Sequence, residues 1–435
     1  MQLNSSRVDS HSTPKQTQNS TFIFPWADKK VTDMMSTTED DPPSFLLLLP
    51  PAAAPDRYAS LTETYEDTLR QVLKEASSAS EECAGAAVLE IALACPHLAA
   101  RTGATRSSLY QQTQTLLAGL YKSICVIAAQ DAINIEDSDG VDVRVLLVAW
   151  SSGQVSSIPQ SPFGPVVTIE ALAASQRPWQ YAFAVESKEG EDFVRAFVEA
   201  KRGAGAYQSS PDSATREPME RQAHDHESHR HSHVAVGGTF DHIHIGHKLL
   251  LTMTLFAVDE QCGPNQDRSV TIGITGDELL KNKKYADYLE SWQARQRYCY
   301  RFVKAPLDFT PPEGPEAVVE EVNEPGPNGH AVIVQFRSGL SIKFVEIWDP
   351  FGPTITDENI SALVISAETR SGGKAVNDKR IEKGWPALQV FEVDVLDPEE
   401  ASAAAERQEQ NDFQSKLSST EIRRKLSAKA AGSSL

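Results

Sequence analysis

Apolar positions along the 435-residue chain fall into two blocks of alternating strand and helix texture, separated by a polar stretch. In the first block, Phe45–Leu49 predicts a short buried strand, and Leu61, Tyr65, Leu69, Val72 and Leu73 recur at helical spacing over Tyr58–Ala76. Ala86–Ala94 is a further apolar run, Leu109–Ala129 a second helix and Val141–Trp150 a strand. Val166–Leu172, Tyr181–Val185 and the amphipathic Glu191–Lys201 complete an α/β module. The second block opens with Val234–Val236 as a strand, Gly237-Gly238 as a turn and Lys248–Val258 as a mostly apolar helix. Val270–Ile274 is the next strand, followed by Gly276-Asp277 and a helix running into Tyr285, then a helix at Arg295–Lys304. Ala331–Phe336 and Ile342–Ile347 read as strands around a Ser338-Gly339 turn, Ala362–Ser366 and Leu388–Val395 as two more, and Glu421–Leu426 as the start of a last helix. Strands alternating with helices imply a doubly wound, mostly parallel sheet, which binds ligands beyond the carboxyl ends of its strands.

The polar stretches set the boundaries. Residues 1–43 are polar, poor in aliphatics and expected to be disordered. Residues 44–202 form an N-terminal α/β module without a catalytic constellation. Residues 203–233 read as a flexible linker ending in His224, His226, His229, His231 and His233, and residues 234–435 as the second domain. That histidine run is the one stretch with metal-ligand character; a solvated tether is the favoured reading over adventitious zinc, copper or nickel binding.

Composition changes the picture in three ways. A net charge of -19 argues against nucleic acid as a partner, so an anionic substrate needs a local basic pocket. The five cysteines are odd in number and lack metal spacing, which suits a reducing compartment. No apolar run reaches bilayer length, so no membrane association is expected. A cytoplasmic protein is the reading, with a mitochondrial or nuclear address as the alternatives; the first 30 residues hold a single arginine, Arg7, and no amphipathic pattern.

The chemistry concentrates after Val236. Gly237-Gly238-Thr239-Phe240-Asp241 followed by His244-Ile245-Gly246-His247 joins a strand to a helix. Glycines admit phosphate to the backbone, and a helix start offers free N–H groups. His244 and His247 then project at one bound phosphate, where fixed donors stabilise a five-coordinate phosphorus by about 3 kcal/mol each. Lys281, Lys283 and Lys284 form a basic knot in an acidic chain. Arg370 and Lys374 flank a glycine turn suited to phosphate oxygens, and Ser418-Ser419-Thr420-Glu421 is a capping box followed by Arg423, suited to a polyphosphate tail. Asp241 and Asp277 are candidates for orienting the site.

These motifs resemble the (H/T)-x-G-H nucleotidylyltransferases, and among them the eukaryotic-type phosphopantetheine adenylyltransferases, over roughly residues 234–426. The resemblance extends through Gly273–Lys284, the turn Asp349-Pro350-Phe351-Gly352-Pro353-Thr354, the stretch Ser366–Asn377 and Leu417–Arg423. It implies a Rossmann-like nucleotidylyltransferase fold that joins the AMP part of ATP to 4′-phosphopantetheine, giving dephospho-CoA and pyrophosphate in coenzyme A synthesis. It implies catalysis by His247, His244 and Thr239, and ATP contacts from Gly238, Thr239, Phe240, His247, Arg370, Ser418, Ser419, Thr420 and Arg423. It implies acceptor contacts from Thr239, Lys374, and Lys281 or Lys283, with Mg²⁺ carried on the ATP phosphates instead of a protein site. Bacterial members tend to have arginine where Lys374 falls, so that contact becomes a point charge. A class I aminoacyl-tRNA synthetase would need a K-M-S-K-S-like loop, and a fused dephospho-CoA kinase a G-x-x-x-x-G-K-[ST] loop; neither occurs. Other small-molecule nucleotidylyltransferases share only the first and last motifs. A scaffold that recruits other coenzyme A enzymes through the N-terminal module is the alternative from a different class.

Overall fold

A computed structural model describes residues 21–24, 42–83, 85–99, 104–136, 140–153, 161–207, 230–259, 267–311, 317–393 and 418–432. The first half contains β1 (Thr21–Phe24), β2 (Ser44–Leu49), α1 (Tyr58–Cys83), β3 (Ala87–Ala94), α2 (Pro96–Ala99), α3 (Arg106–Gln130), β4 (Val141–Val148), β5 (Val166–Val167), α4 (Ile169–Ala174), β6 (Tyr181–Val185) and α5 (Lys188–Tyr207). They build a six-stranded sheet of order β1-β6-β2-β3-β4-β5, parallel except for β1. The continuous apolar run of β2 serves both faces. Phe45, Leu47 and Leu49 pack with α1 and α3, while Leu46 and Leu48 pack with Phe193 and Phe197 of α5.

The second half contains β7 (His233–Gly238), α6 (Ile245–Ala257), β8 (Arg268–Thr275), α7 (Trp292–Leu307), β9 (Val318–Asn323), β10 (His330–Gln335), β11 (Leu340–Ile347), β12 (Ala362–Ser366), α8 (Arg370–Glu382), β13 (Gln389–Val393) and α9 (Ser419–Gly432). The sheet order is β13-β12-β7-β8-β11-β10-β9. Its first five strands are parallel, and β10 and β9 continue it antiparallel. From β7 the chain adds β8, crosses to the far edge for β9, works back through β10 to β11 beside β8, and then lays β12 on the other side of β7. That reversal opens a crevice beyond the carboxyl ends of β7 and β12.

One core cluster crosses between the two sheets. Val234, Val236, Leu249, Met253 and Phe256 of the second half belong to the same buried cluster as Leu61, Leu89 and Leu117 of the first. Helix α3 packs against α6. Tyr110 of α3 stacks on Phe391 with 4.4 Å between ring centroids, and the Arg106 guanidinium lies 4.7 Å from the Phe256 ring centre. Asp259 joins the segments by accepting from the Arg106 and His231 amides at 3.1 and 3.0 Å. Lys425 of α9 reaches back to Glu136 at 2.8 Å. No helix among the described residues is long and apolar enough to cross a membrane.

Several expectations change. Within the stretch read as disordered, Thr21–Phe24 forms β1, whose β-branched and aromatic residues suit an edge strand; residues 1–20 and 25–41 lie outside the described residues. The stretch read as a linker is ordered at both ends: α5 runs through Tyr207, and His233 opens β7. His231 is buried, hydrogen-bonded through both ring nitrogens to Ser361 and Gln389 at 2.8 Å, which makes it a structural residue. His224, His226 and His229 lie outside the described residues. Gly237-Gly238 is the end of β7, paired with Gly273 and Ile274, and the turn falls later, where Phe240 and His242 take positive φ. The helix expected after Gly276 is two single 3₁₀ turns, Asp277–Leu280 and Ala286–Tyr288, with Tyr285 left-handed between them. Helical propensity there yields to the need to turn the chain back over the strand ends.

The shared core makes the first half a structural part of the second. Tyr110→Ala is expected to lower the stability of the whole chain by roughly 3–5 kcal/mol in denaturant unfolding. A fragment of residues 234–435, stripped of its cover over Phe256 and Phe391, is expected to melt well below the full chain; equal melting temperatures would refute the shared core.

Candidate active site

The turn after β7 is held from three directions. Asp241 is fully buried and accepts from the Glu290 amide at 2.9 Å and from Arg423 of α9, whose guanidinium is itself buried. Arg423 also donates to the Lys284 carbonyl and the Thr420 hydroxyl, each at 3.1 Å. Glu290 accepts from the His242 amide at 2.8 Å, and burial raises its carboxyl above the usual range. The third anchor is Arg295 of α7, with no exposed surface. It donates to the carbonyls of Thr239 (2.6 Å), Thr275 (2.8 Å) and Glu290 (3.0 Å), and to Asp277 (2.6 Å). These three anchors, one of them a buried ion pair, hold Phe240 and His242 at positive φ, a region that non-glycine residues rarely adopt.

This turn delivers His244 and His247 to the first turn of α6. Their rings stack at 3.9 Å between centroids with a 22° interplanar angle, and the Phe240 ring lies 5.4 Å from His247. His244 is the N-cap of α6 and makes no side-chain cap bond. Its Nε2 lies 3.4 Å from the Ser419 hydroxyl at the start of α9. The Nδ1 atoms of both rings are buried and have no hydrogen-bond partner among the described residues. Burial pushes His247 down to about 4, opposed by Asp241, and burial together with the neighbouring His247 pushes His244 well below its ordinary value. Both imidazoles are therefore neutral near pH 7, suited to donate hydrogen bonds to an anion without drawing a permanent counter-charge. Above them, a Cβ on Gly237 would meet nothing within 4 Å, so the strand end is open.

Behind the histidines lies the other half of the molecule. Lys248, directly after His247, is buried and donates to Asp142 of β4 at 2.6 Å and to the Val143 carbonyl at 2.9 Å. Lys248 and Arg144 hold the Asp142 carboxyl well below the usual carboxylate range against the burial that opposes them. The N-terminal sheet thus clamps the helix that carries the histidines.

The remaining sequence candidates divide. Ser419, Thr420 and Arg423 converge on the histidine turn, and the Glu421 amide donates to the Ser418 hydroxyl at 3.4 Å, which caps α9. Arg423 is spent on Asp241 and acts as an anchor. Arg370 and Lys374 are not on a glycine turn: Arg370–Glu382 is helix α8, and Gly373 packs it so closely on β12 that an added Cβ would lie 3.2 Å from the Ile365 side chain. Arg370 pairs with Glu392 and Lys374 with Asp378 (2.5 Å), all at the surface. Lys281 pairs with Glu278, while Lys283 is exposed with no ion-pair partner among the described residues. Two motifs prove to be architecture. Asp349 accepts from the Phe351 and Gly352 amides (2.7 and 2.9 Å) to make a tight turn. Asn377 exchanges hydrogen bonds with the Leu388 backbone at 3.0 and 2.8 Å, pinning β13.

Sequence reasoning missed Arg295, Glu290 and the Lys248–Asp142 clamp. Arg295 had a legible signal: it shares a helical stripe with Trp292, Cys299 and Phe302 and so had to point inward. Glu290 and Asp142 carried none, since their partners lie 48 and 106 residues away.

Two measurements test this geometry. Asp241→Asn leaves the Arg423 guanidinium buried without a counter-charge and should cost roughly 3–5 kcal/mol in denaturant unfolding. Because His247 titrates lower when folded than when unfolded, only the unfolded chain takes up that proton between the ordinary imidazole value and about 4. The contribution of His247 should be full above that window and fall by roughly 1.4 kcal/mol per pH unit within it, with His244, also depressed, adding a parallel loss. His247→Gln should reduce the slope by the share of one proton and leave that of His244.

Comparison with known proteins covers both halves. Residues 34–217 match a domain of unknown function (DUF8446), and residues 235–425 match the Cytidylyltransferase-like family. An uncharacterized protein of Schizosaccharomyces pombe is 36% identical over 193 residues, 44% of this chain and 47% of its own length. The phosphopantetheine adenylyltransferase of Saccharomyces cerevisiae is 36% identical over 197 residues, 45% of this chain and 49% of its own. That of Thermococcus kodakarensis is 27% identical over 163 residues, 38% of this chain and 74% of its own. The match to the two fungal proteins thus spans about half of their length. Residues 235–425 thus form a cytidylyltransferase-like domain, similar in sequence to the phosphopantetheine adenylyltransferases.

Proposed function

We propose that the chain transfers the adenylyl group of ATP to 4′-phosphopantetheine, giving dephospho-CoA and pyrophosphate. The observation that carries this reading is the pair of stacked histidines at the start of α6, His244 buried and His247 half-buried, beside the open end of β7 in the strand-reversal crevice. ATP enters as its Mg²⁺ complex, and its α-phosphate sits over Gly237-Gly238 against the free N–H groups of α6. A phosphate oxygen of the acceptor attacks the α-phosphorus in line, the bond to the β-phosphate oxygen breaks, and pyrophosphate leaves. The attacking group is already an anion, so no base is required. His247 and His244 donate to the non-bridging oxygens as they gain charge, and Thr239 adds its hydroxyl.

Pyrophosphate departs toward the start of α9, where Ser418, Ser419 and Thr420 present hydroxyls. Arg370 reaches it by exchanging its surface pair with Glu392, a pair worth at most about 1 kcal/mol. Lys283, without a carboxylate partner among the described residues, is the better of the two lysine candidates for the acceptor phosphate. Exposed Leu279 and Trp348, beyond the adjacent strands β8 and β11, offer apolar cover for an acceptor arm. The names of the yeast and archaeal relatives support the choice of acceptor.

The decisive assay is a panel of phosphate-bearing acceptors scored by pyrophosphate release. Activity with phosphopantetheine is expected; activity only with nicotinamide mononucleotide, FMN or choline phosphate would overturn the acceptor and leave the reaction class. His247→Ala should lower turnover by roughly 100-fold or more with little change in melting temperature. Lys248→Met, which frees α6 from Asp142, should lower turnover on the order of tenfold by shifting the histidines, with a smaller effect on KM for ATP.

A further inference from the structure

The seam between the two halves holds a second feature that the catalytic reading does not use. A cavity of about 230 Å³ opens between the N-terminal sheet and the end of α7, lined by Glu90, Arg144, Arg177, Arg301, Lys304 and Asp308. Four cations face two carboxylates there, in a chain whose net charge is -19.

The carboxylates are already committed. Glu90 is buried, accepting from Arg177 at 2.5 Å and from the Trp179 indole at 2.8 Å. Asp308 accepts from the Thr310 amide and hydroxyl at 3.0 and 2.6 Å. Arg177 also donates to the Asp308 carbonyl at 2.9 Å and stacks 4.2 Å from the Phe309 ring centre, so it is held rigid. Arg144 is paired with Asp142 at 2.7 Å. Arg301 and Lys304 are different. They stand one turn apart on the same face of α7, both exposed at the cavity mouth, and neither has an ion-pair partner among the described residues. The lining contains no aromatic ring and only one apolar residue, Ala305, so it offers nothing for a base to stack on.

We propose that this seam cavity is a binding site for a compact phosphate anion, such as inorganic phosphate, pyrophosphate or a small phosphate monoester, held by Arg301 and Lys304 against the preset guanidinium groups of Arg144 and Arg177. The proposal is independent of the acceptor assigned above. Anion binding joins side chains of both halves, so it stabilises their docked arrangement by linkage. It also sits on the helix that anchors the catalytic turn: Lys304 is nine residues, about 14 Å, along α7 from Arg295.

The test uses the full chain, with inorganic phosphate and pyrophosphate as probes. Thermal unfolding and calorimetric titration are run at constant ionic strength on the wild type, Arg301→Gln/Lys304→Gln, and Arg301→Glu/Lys304→Glu. Both side-chain heads are exposed, so the variants are expected to melt like the wild type without ligand. In the wild type the melting temperature should rise with either anion; the Gln pair should weaken binding at the seam by roughly tenfold or more, and the Glu pair should abolish it. A wild type indifferent to both anions would overturn the proposal. So would an equal rise in all three proteins, which would assign the anion to the catalytic crevice.

Discussion

The buried ion pair between Asp241 and Arg423 ties α9 to the turn after β7 across 182 residues of sequence. Neither group has much access to water, so removing either one would leave the other as a buried, unpaired charge. Around that pair the Arg295 guanidinium collects three carbonyls and Asp277, and Glu290 takes the His242 amide. The turn after β7 is therefore overdetermined, which is what permits two non-glycine residues with positive φ beside the histidines. A loosely held loop could not keep two neutral imidazoles stacked and aimed at one place.

The same logic extends to the N-terminal half. The Lys248–Asp142 contact, the Tyr110–Phe391 stack and the continuous core make the first sheet a wall against which α6 is set. A tethered module would leave the helix that carries the histidines indifferent to it. Here the residue directly after His247 ends on a strand of that sheet, so the position of the histidines depends on both halves. A charged seam with cations left over follows from joining two acidic halves around a few arginines.

How much of this was legible in the chain can be judged residue by residue. The α/β character, the strand at Val234, the helix after His247 and the start of the last helix all followed from hydrophobic period and capping, which act over a few residues. The histidine motif was legible because its residues lie within one turn and their chemistry is local. Arg370 and Lys374 were recognisable as basic residues beside glycines, yet the sequence pattern could not say that the glycines serve close helix–sheet packing. Thr21–Phe24 escaped notice because four residues form a strand only when another edge accepts them.

By itself, then, the sequence determined the class of the sheet and the place of the strand-to-helix connection that carries the two histidines, because periodicity and helix termini are local properties. Only the tertiary structure decided which cations remain available. It spent Arg423 and Arg295 on the turn, Lys248 on the neighbouring sheet and His231 on the strand edge, and left Lys283, Arg301 and Lys304 without carboxylate partners among the described residues. Electrostatic pairing is set by distances across the fold, and nothing along the chain encodes which opposite charge burial will bring into contact.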